Sequence, residues 1–308
     1  MTSRRNILVI KLSALGDMVL ALPAFAAIRA AHPDARITLL TTPPYADLAR
    51  SSPYFDAVET DGRPSGGVGW VALMRRLRRA RYDRVYDLQC NDRTNLVFQA
   101  LRPSPPVWSG VARGCALPHR NRDRLRLHSL DRHAEQLRDA GIVVDPSVTP
   151  DVSWMIPQAR NIAGARPKAL LVPGAAAHRT QKRWAGERYG DLAARLIEGS
   201  YDVDILGAVA ERPLAQMIRA RAPAARDLTG ATALVDIAEL AAAAALAVGN
   251  DTGPMHLIAA AGAPCVVLFG AASDPALSAP RGRVTVVRAE SLADVSVEQV
   301  WAAARRTL

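Results

Sequence analysis

The chain has 308 residues, 49% of them hydrophobic and 22% charged. It is longer than one core usually supports and too apolar for intrinsic disorder, so two globular domains of about 150 residues each are expected. The net charge of +10 draws anions such as nucleic acid, acidic headgroups and phosphorylated glycans, while three dispersed cysteines, Cys90, Cys115 and Cys265, exclude a disulfide framework and zinc-ligand spacing and suit a reducing, cytoplasmic setting.

Asn6 to Lys11 is a short apolar run of the kind that forms a central parallel strand. Leu12 to Asp17 predicts a turn, and Met18 to Ala31 a helix with Pro23 inside it. A strand over Arg36 to Thr41, a short helix over Pro43 to Ser51 and a strand over Ala57 to Thr60 follow. Val68 to Ala80 is an amphipathic basic helix, Arg84 to Leu88 a strand, Arg93 to Leu101 a helix and Val107 to Gly110 a short strand. The Arg-rich stretch from Gly114 to Leu130 reads as loop, and His133 to Ala140 as helix. The alternation restarts beyond a linker near Pro146 to Pro167. Strands are expected over Ala169 to Val172, Asp202 to Leu206, Asp227 to Leu228, Leu246 to Gly249, Cys265 to Phe269 and Val284 to Val287. Helices are expected over Arg188 to Gly199, Ala210 to Ala222, Leu234 to Ala243, Pro254 to Ala261 and Val297 to Thr307.

Two successive strand–helix series predict an α/β architecture of two doubly wound, Rossmann-like parallel-sheet domains. Ligands then sit beyond the carboxyl ends of the strands, and the cleft between the domains is the expected site. Arg4 and Arg5 before an apolar run imitate a secretory leader, but Lys11 and Asp17 interrupt that run. The most apolar later stretch, Met255 to Ala272, is broken by His256, Gly262, Pro264 and Gly270. A cytoplasmic protein with peripheral membrane contact is therefore expected.

Between Arg63 and Arg132 stand fifteen arginines against five acids, so the first half carries a basic face; a plain solvated surface is the other reading. Aromatics make up only 5% of the chain and do not interleave with these arginines, which argues against nucleic acid as the partner. The chain has only three lysines, Lys11, Lys168 and Lys182. Where positive charge is otherwise written as Arg, a Lys suggests a site wanting a compact ammonium.

Three motifs carry chemistry. The first, Lys11-Leu-Ser-Ala-Leu-Gly-Asp17, follows the first strand and leads into a helix, but it is neither a Gly-x-Gly-x-x-Gly nor a Walker A loop. Asp17 can accept a proton from an attacking hydroxyl, or simply cap its helix. The second, Pro173 to Trp184, opens on Gly174 and ends in the cationic cluster Arg179, Lys182 and Arg183. Lys182 can stabilise charge on a departing diphosphate; a solvated basic loop is the alternative. The third, Val248 to His256, runs a strand into Asp251-Thr252-Gly253 with Pro254 at the helix start. The N–H groups near Thr252 and Gly253 would cradle an anion, Asp251 would hold sugar hydroxyls, and His256 would donate to phosphate or be packed away. No paired His or Cys cluster suggests a metal site, and no cofactor is expected.

Together Lys11-x-Ser-x-x-Gly-Asp17, Tyr82-Asp-Arg-Val-Tyr-Asp-Leu-Gln89, Lys182-Arg-Trp184, Leu206-Gly207, Asp251-Thr-Gly-Pro-Met-His256 and Leu268-Phe-Gly270 resemble glycosyltransferase family nine, the ADP-heptose:lipopolysaccharide heptosyltransferases, over nearly the whole chain. The resemblance implies a GT-B fold: residues 1–157 for the acceptor, 158–290 for the donor, and a terminal helix in 291–308 packing back on the first domain. It implies inverting, metal-independent transfer from a nucleotide-diphosphate sugar, ADP-heptose, to an acidic glycolipid, the lipid A-Kdo core, at the inner face of the cytoplasmic membrane. By the same likeness Asp17 is the base, with Lys11, Ser13, Ala14, Gly16 and Arg93 as acceptor contacts. Lys182 meets the donor phosphates with Gly174 and Arg179 nearby, Thr252 and Gly253 cradle the diphosphate, Asp251 holds the heptose, Glu211 meets the ribose and Thr232 the adenine. Some members carry Thr pairs before the phosphate Lys where this chain has Ala177 and His178. A relative moving a different sugar, and a nucleotide-sugar epimerase or hydrolase on the same plan, are the rival readings.

Overall fold

In a computed structural model, the structure describes residues 4–156, 166–175, 181 and 183–307. The chain divides into two compact units, Met1–Val148 and Thr149–Leu308, nine residues earlier than the 157/158 boundary expected from the sequence.

The first unit runs β1 (Asn6–Ile10), α1 (Leu15–Val19), α2 (Leu22–Ala31), β2 (Arg36–Leu40), α3 (Ala46–Ser51), β3 (Ala57–Glu59), α4 (Gly66–Ala80), β4 (Arg84–Asp87), α5 (Asp92–Ala100), β5 (Val107–Gly110), β6 (Leu117–Pro118) and α6 (Ser129–Asp139). Its strands form one sheet in the order β3-β2-β1-β4-β5-β6, with every pairing parallel. β1 is the central strand because Ile7, Leu8, Val9 and Ile10 offer apolar side chains to both faces, and each is at most 1% exposed. The leader-like start of the chain is thus a buried strand.

The second unit runs β7 (Lys168–Val172), α7 (Gly186–Glu198), β8 (Asp202–Ile205), α8 (Arg212–Arg221), β9 (Arg226–Asp227), α9 (Leu234–Ala242), β10 (Ala244–Asn250), α10 (Gly253–Ala260), β11 (Cys265–Phe269), α11 (Pro275–Ser278), β12 (Val284–Arg288) and α12 (Val297–Thr307). Its sheet, β12-β11-β10-β7-β8-β9, repeats the same plan, again all parallel. In each sheet the winding reverses direction at one place, between β1 and β4 and between β7 and β10. Such a reversal splays the following connections apart and opens a crevice at the strand ends.

Four expectations are corrected. The helix from Met18 to Ala31 is two helices, because Pro23 lacks an N–H and is held in the first turn of α2. Pro43 to Ser51 begins as a tighter turn over Pro43–Tyr45 before α3. The Gly114 to Leu130 stretch contributes β6, whose two residues pair with Ser109 and Gly110 to complete the sheet. Most consequentially, α12 belongs to the second unit's core: Val300, Ala303 and Ala304 are buried there with Trp184, Leu192, Leu246 and Leu268. The short connection from β12 leaves the helix beside its own sheet, where its apolar face finds cover.

Candidate active site

The motifs singled out in the sequence stand at the two reversal points. In the first unit, Lys11 to Asp17 leaves the carboxyl end of β1. The Leu12 N–H is held by Gln89 Oε1 at 2.8 Å and the Leu12 carbonyl accepts from Thr42 Oγ1 at 2.8 Å, so both neighbouring strand ends fix the turn. Asp17 is the third residue of α1, half-buried, and its Oδ2 accepts from the Ala14 N–H at 3.0 Å. The capping alternative is thus realised, and it leaves Oδ1 outside that bond. Ser13 Oγ accepts from the Arg63 guanidinium, which ties the segment after β3 to the same turn. Burial raises the Tyr45 phenol above its ordinary pKa while Arg63 opposes the rise, which places Tyr45 at this rim too. Ala14 is exposed and Gly16 buried. Arg93, at the start of α5, holds its guanidinium 6.0 Å from the centre of the Trp70 ring.

Lys11 behaves differently from an acceptor contact. It is 3% exposed, and its Nζ donates to the Leu88 carbonyl at 3.3 Å, beneath the turn. Burial lowers its pKa, with the Asp17 carboxylate opposing. Asp87, at the end of β4, is wholly buried and accepts from the Gln89 and Cys90 N–H groups at 3.1 and 3.0 Å. Burial pushes its carboxyl up to about 6, against those hydrogen bonds and the Lys11 charge. Gln136 of α6 donates to the Asp87 carbonyl at 2.8 Å, and His133, 2% exposed, is driven well below its ordinary pKa by burial and by Lys11. A buried layer of opposite charges therefore underlies the Asp17 turn. The sequence contained a signal for it, since Asp87 follows Val85 and Tyr86 at the end of a strand and lies within a motif, but no role was drawn from it.

In the second unit the corresponding support is one side chain. Asn250, the last residue of β10, is 0% exposed. Its Nδ2 donates to the carbonyls of Pro173 at 2.8 Å and Gly174 at 3.2 Å, beyond β7. Its Oδ1 accepts from the Trp184 N–H at 3.1 Å and from the Tyr189 hydroxyl at 3.2 Å. The Trp184 indole in turn donates to the Val295 carbonyl at 2.8 Å and packs edge-on to Tyr189 with ring centres 4.8 Å apart. Asn250 therefore holds both ends of the stretch between Ala175 and Arg183. A polar residue at the foot of Ala-Ala-Leu-Ala-Val-Gly was the available signal, and it was missed. Arg183 closes the same stretch by donating to the Ala175 carbonyl at 2.9 Å.

Gly174 and Glu211 are brought together from the ends of β7 and β8. A Cβ on Gly174 would lie 1.7 Å from Glu211 Oε1, so only glycine lets this carboxylate rest on the strand end. Glu211 Oε2 also accepts from the Ala208 N–H at 2.7 Å. Thr252 caps α10 with extended backbone, its hydroxyl donating to the Asn250 carbonyl at 3.3 Å instead of capping the first turn, whose amides point where a ligand oxygen can meet them. Asp251 and Gly253 flank it, half-buried. His256 is 6% exposed, the packed alternative. Thr232 is half-buried ahead of α9. Arg179 and Lys182 lie outside the described residues. Among the described residues, no group of three or more His, Cys, Asp or Glu side chains is arranged to hold a metal ion.

The family model described as glycosyltransferase family 9 (heptosyltransferase) matches residues 70–299. Lipopolysaccharide heptosyltransferase 2 of Escherichia coli strain K12 is 29% identical over 295 residues, covering 87% of this chain and 83% of that one. The crystal structure of a family 9 glycosyl transferase from Veillonella parvula superposes with a TM-score of 0.84 at 21% identity, covering 98% of this chain and 97% of that chain. The Escherichia coli heptosyltransferase WaaC, solved with ADP, superposes with a TM-score of 0.78 at 20% identity, covering 98% of this chain and all of that one (100%).

Proposed function

Because the chain belongs to glycosyltransferase family 9 and is a sugar-transferring enzyme, we propose that it moves heptose from ADP-L-glycero-D-manno-heptose to a Kdo or heptose residue of the lipopolysaccharide inner core. The observation that carries this reading is the likeness to the Escherichia coli enzyme over most of both chains. The basic first half, fifteen arginines against five acids between Arg63 and Arg132, complements an acceptor bearing acidic sugars and phosphates.

In the proposed reaction Asp17 takes the proton from the acceptor hydroxyl as that oxygen attacks the anomeric carbon. The bond from that carbon to the diphosphate oxygen breaks on the opposite face, inverting the centre, and ADP leaves carrying the charge. The Lys182 ammonium and the amides at the start of α10 stabilise that charge as it develops. Asp251 orients the sugar. Glu211 receives the ribose hydroxyls beside Gly174, and the segment at Thr232 receives the adenine. The acceptor is a membrane glycolipid, so the enzyme works peripherally at the inner face of the cytoplasmic membrane; among the described residues no helix is long and apolar enough to cross one.

The test is ADP release from ADP-heptose, with UDP- and GDP-sugars as competitors, with and without a Kdo-bearing oligosaccharide. Release that needs both ADP-heptose and the acceptor supports the reading. Release without an acceptor makes the enzyme a hydrolase, and preference for another nucleotide sugar changes the donor.

Two substitutions sharpen the donor half. Lys182→Ala is expected to weaken ADP-heptose binding and also slow transfer, each by about tenfold or more, because a phosphate point charge is lost; unchanged affinity by calorimetry would remove Lys182 from the phosphates. Gly174→Ala is expected to swing the Glu211 carboxylate off the strand end, since the clash falls on the mobile tip of a side chain. Donor KM should rise about tenfold, the worth of one charge-assisted hydrogen bond, with the melting temperature nearly unchanged. An unaltered KM would detach Glu211 from the donor.

A further inference from the structure

The solvent face of α4 is apolar at one end and cationic at the other. Its sequence, Gly-Gly-Val-Gly-Trp-Val-Ala-Leu-Met-Arg-Arg-Leu-Arg-Arg-Ala, contains four arginines and no acid. Leu73, Met74 and Leu77 face the core. At 100° per residue, Val68, Val71, Ala72, Arg75, Arg78 and Arg79 fall on the opposite stripe, and all six are exposed. Val68 is 88% and Val71 49% exposed, large values for valines on a surface that need not be apolar. Arg76 turns aside to pair with Glu59 and Asp61. The stripe is therefore apolar in its first turns and purely cationic in its last.

α4 starts at the carboxyl edge of the sheet, since it follows β3 and runs back against the strands. Arg63, just before it, donates to Ser13 in the turn that bears Asp17. On the adjoining α5, which meets α4 through Arg93 over Trp70 and through Arg78 donating to the Ala100 carbonyl, Leu96 is 55% exposed. The apolar tip thus belongs to the same rim as the acceptor turn.

We propose that this stripe is where the enzyme rests on an anionic bilayer, Val68 and Val71 entering the headgroup boundary while Arg75, Arg78 and Arg79 meet lipid phosphates. The proposal rests on the reading that the acceptor is a membrane glycolipid. A second copy of the chain fits poorly, because a two-fold contact would set the arginines against one another or against the valines, and the stripe carries no acid to pair them. A polynucleotide offers the valines no apolar phase. A bilayer supplies both halves, an apolar boundary and a negative surface that attracts each nearby arginine.

The test compares the full-length protein with two double variants, Val68→Asp with Val71→Asp and Arg75→Glu with Arg79→Glu, in sedimentation with vesicles. Wild type is expected to bind phosphatidylglycerol–phosphatidylcholine vesicles and to dissociate in high salt. Each double variant should lose at least about tenfold in partitioning and melt as wild type does, and the valine variant should release ADP normally with a deacylated, water-soluble acceptor. Transfer to the acylated acceptor in vesicles should fall with the bound fraction. Variants that bind vesicles like wild type, or a wild-type dimer that the valine variant splits, would overturn the assignment. Vesicle binding that depends on α4, in a protein that releases no ADP with any Kdo acceptor, would keep the docking face and remove the functional reading instead.

Discussion

Asp17→Asn is expected to reduce turnover by on the order of 10²- to 10⁴-fold while leaving the fold and donor affinity intact, the loss that accompanies removal of a general base. The choice of Asn matters because the proposed base also has a structural duty. Its Oδ2 accepts from the Ala14 N–H at 3.0 Å and closes the first turn of α1. An amide oxygen preserves that bond, whereas Asp17→Ala also forfeits a cap worth about 1 kcal/mol. Single-turnover rates at saturating ADP-heptose, read beside thermal melting, separate the two duties. If Asp17→Asn retained turnover within a few-fold of wild type, Asp17 would be a capping residue alone, and the proton acceptor would have to be sought elsewhere on the rim.

Asn250→Ala should have the largest effect on stability of any single change at the site. The side chain is wholly buried and joins four partners: two carbonyls, one backbone N–H and one tyrosine hydroxyl. Its removal strands these groups in the interior of the second unit. At about 1–3 kcal/mol for each uncompensated buried group, with partial relaxation, the cost is on the order of 3–5 kcal/mol. Denaturant melting should show it directly. The variant should also bind ADP-heptose more weakly, because Pro173, Gly174 and Trp184 bracket the segment that carries Lys182. Asn250→Asp separates geometry from volume: it keeps an acceptor for Trp184 but turns a carboxylate oxygen toward two carbonyls, so it too should destabilise. A melting profile unaltered in both variants would mean that the clasp contributes nothing.

The sheets were legible in the sequence because their cause is local. Ile7 to Ile10 and Cys265 to Phe269 are apolar on both faces, which only a strand between two others explains. The turns bearing Asp17 and Thr252 were legible for the same reason: small and polar residues interrupt the apolar run where a strand must end. The burial of Lys11 and Asp87 was not, because it depends on Gln136 and His133 of α6, which arrive from nearly fifty residues beyond Asp87 and much further still beyond Lys11. β6 was invisible since two residues carry no periodicity; it exists only because β5 already offers an edge. The destination of α12 was misjudged because its amphipathic pattern says that one face is covered but not by which core. Arg179 and Lys182, the cations on which the donor half leans, lie outside the described residues, so their part rests on sequence and family membership.

The Asn250 clasp has an implication for how such an enzyme can change its donor. Since one amide anchors the residues on either side of the Ala175–Arg183 interval, positions between the anchors other than Lys182 can vary in composition without disturbing the strands that support them. Substitutions such as Ala177 and His178, where some relatives carry threonines, can then accumulate as exchangeable contents of a fixed frame. New sugar or nucleotide preferences would arise by changing those positions alone, leaving Asp17 and the buried charges beneath it in the other half of the chain untouched.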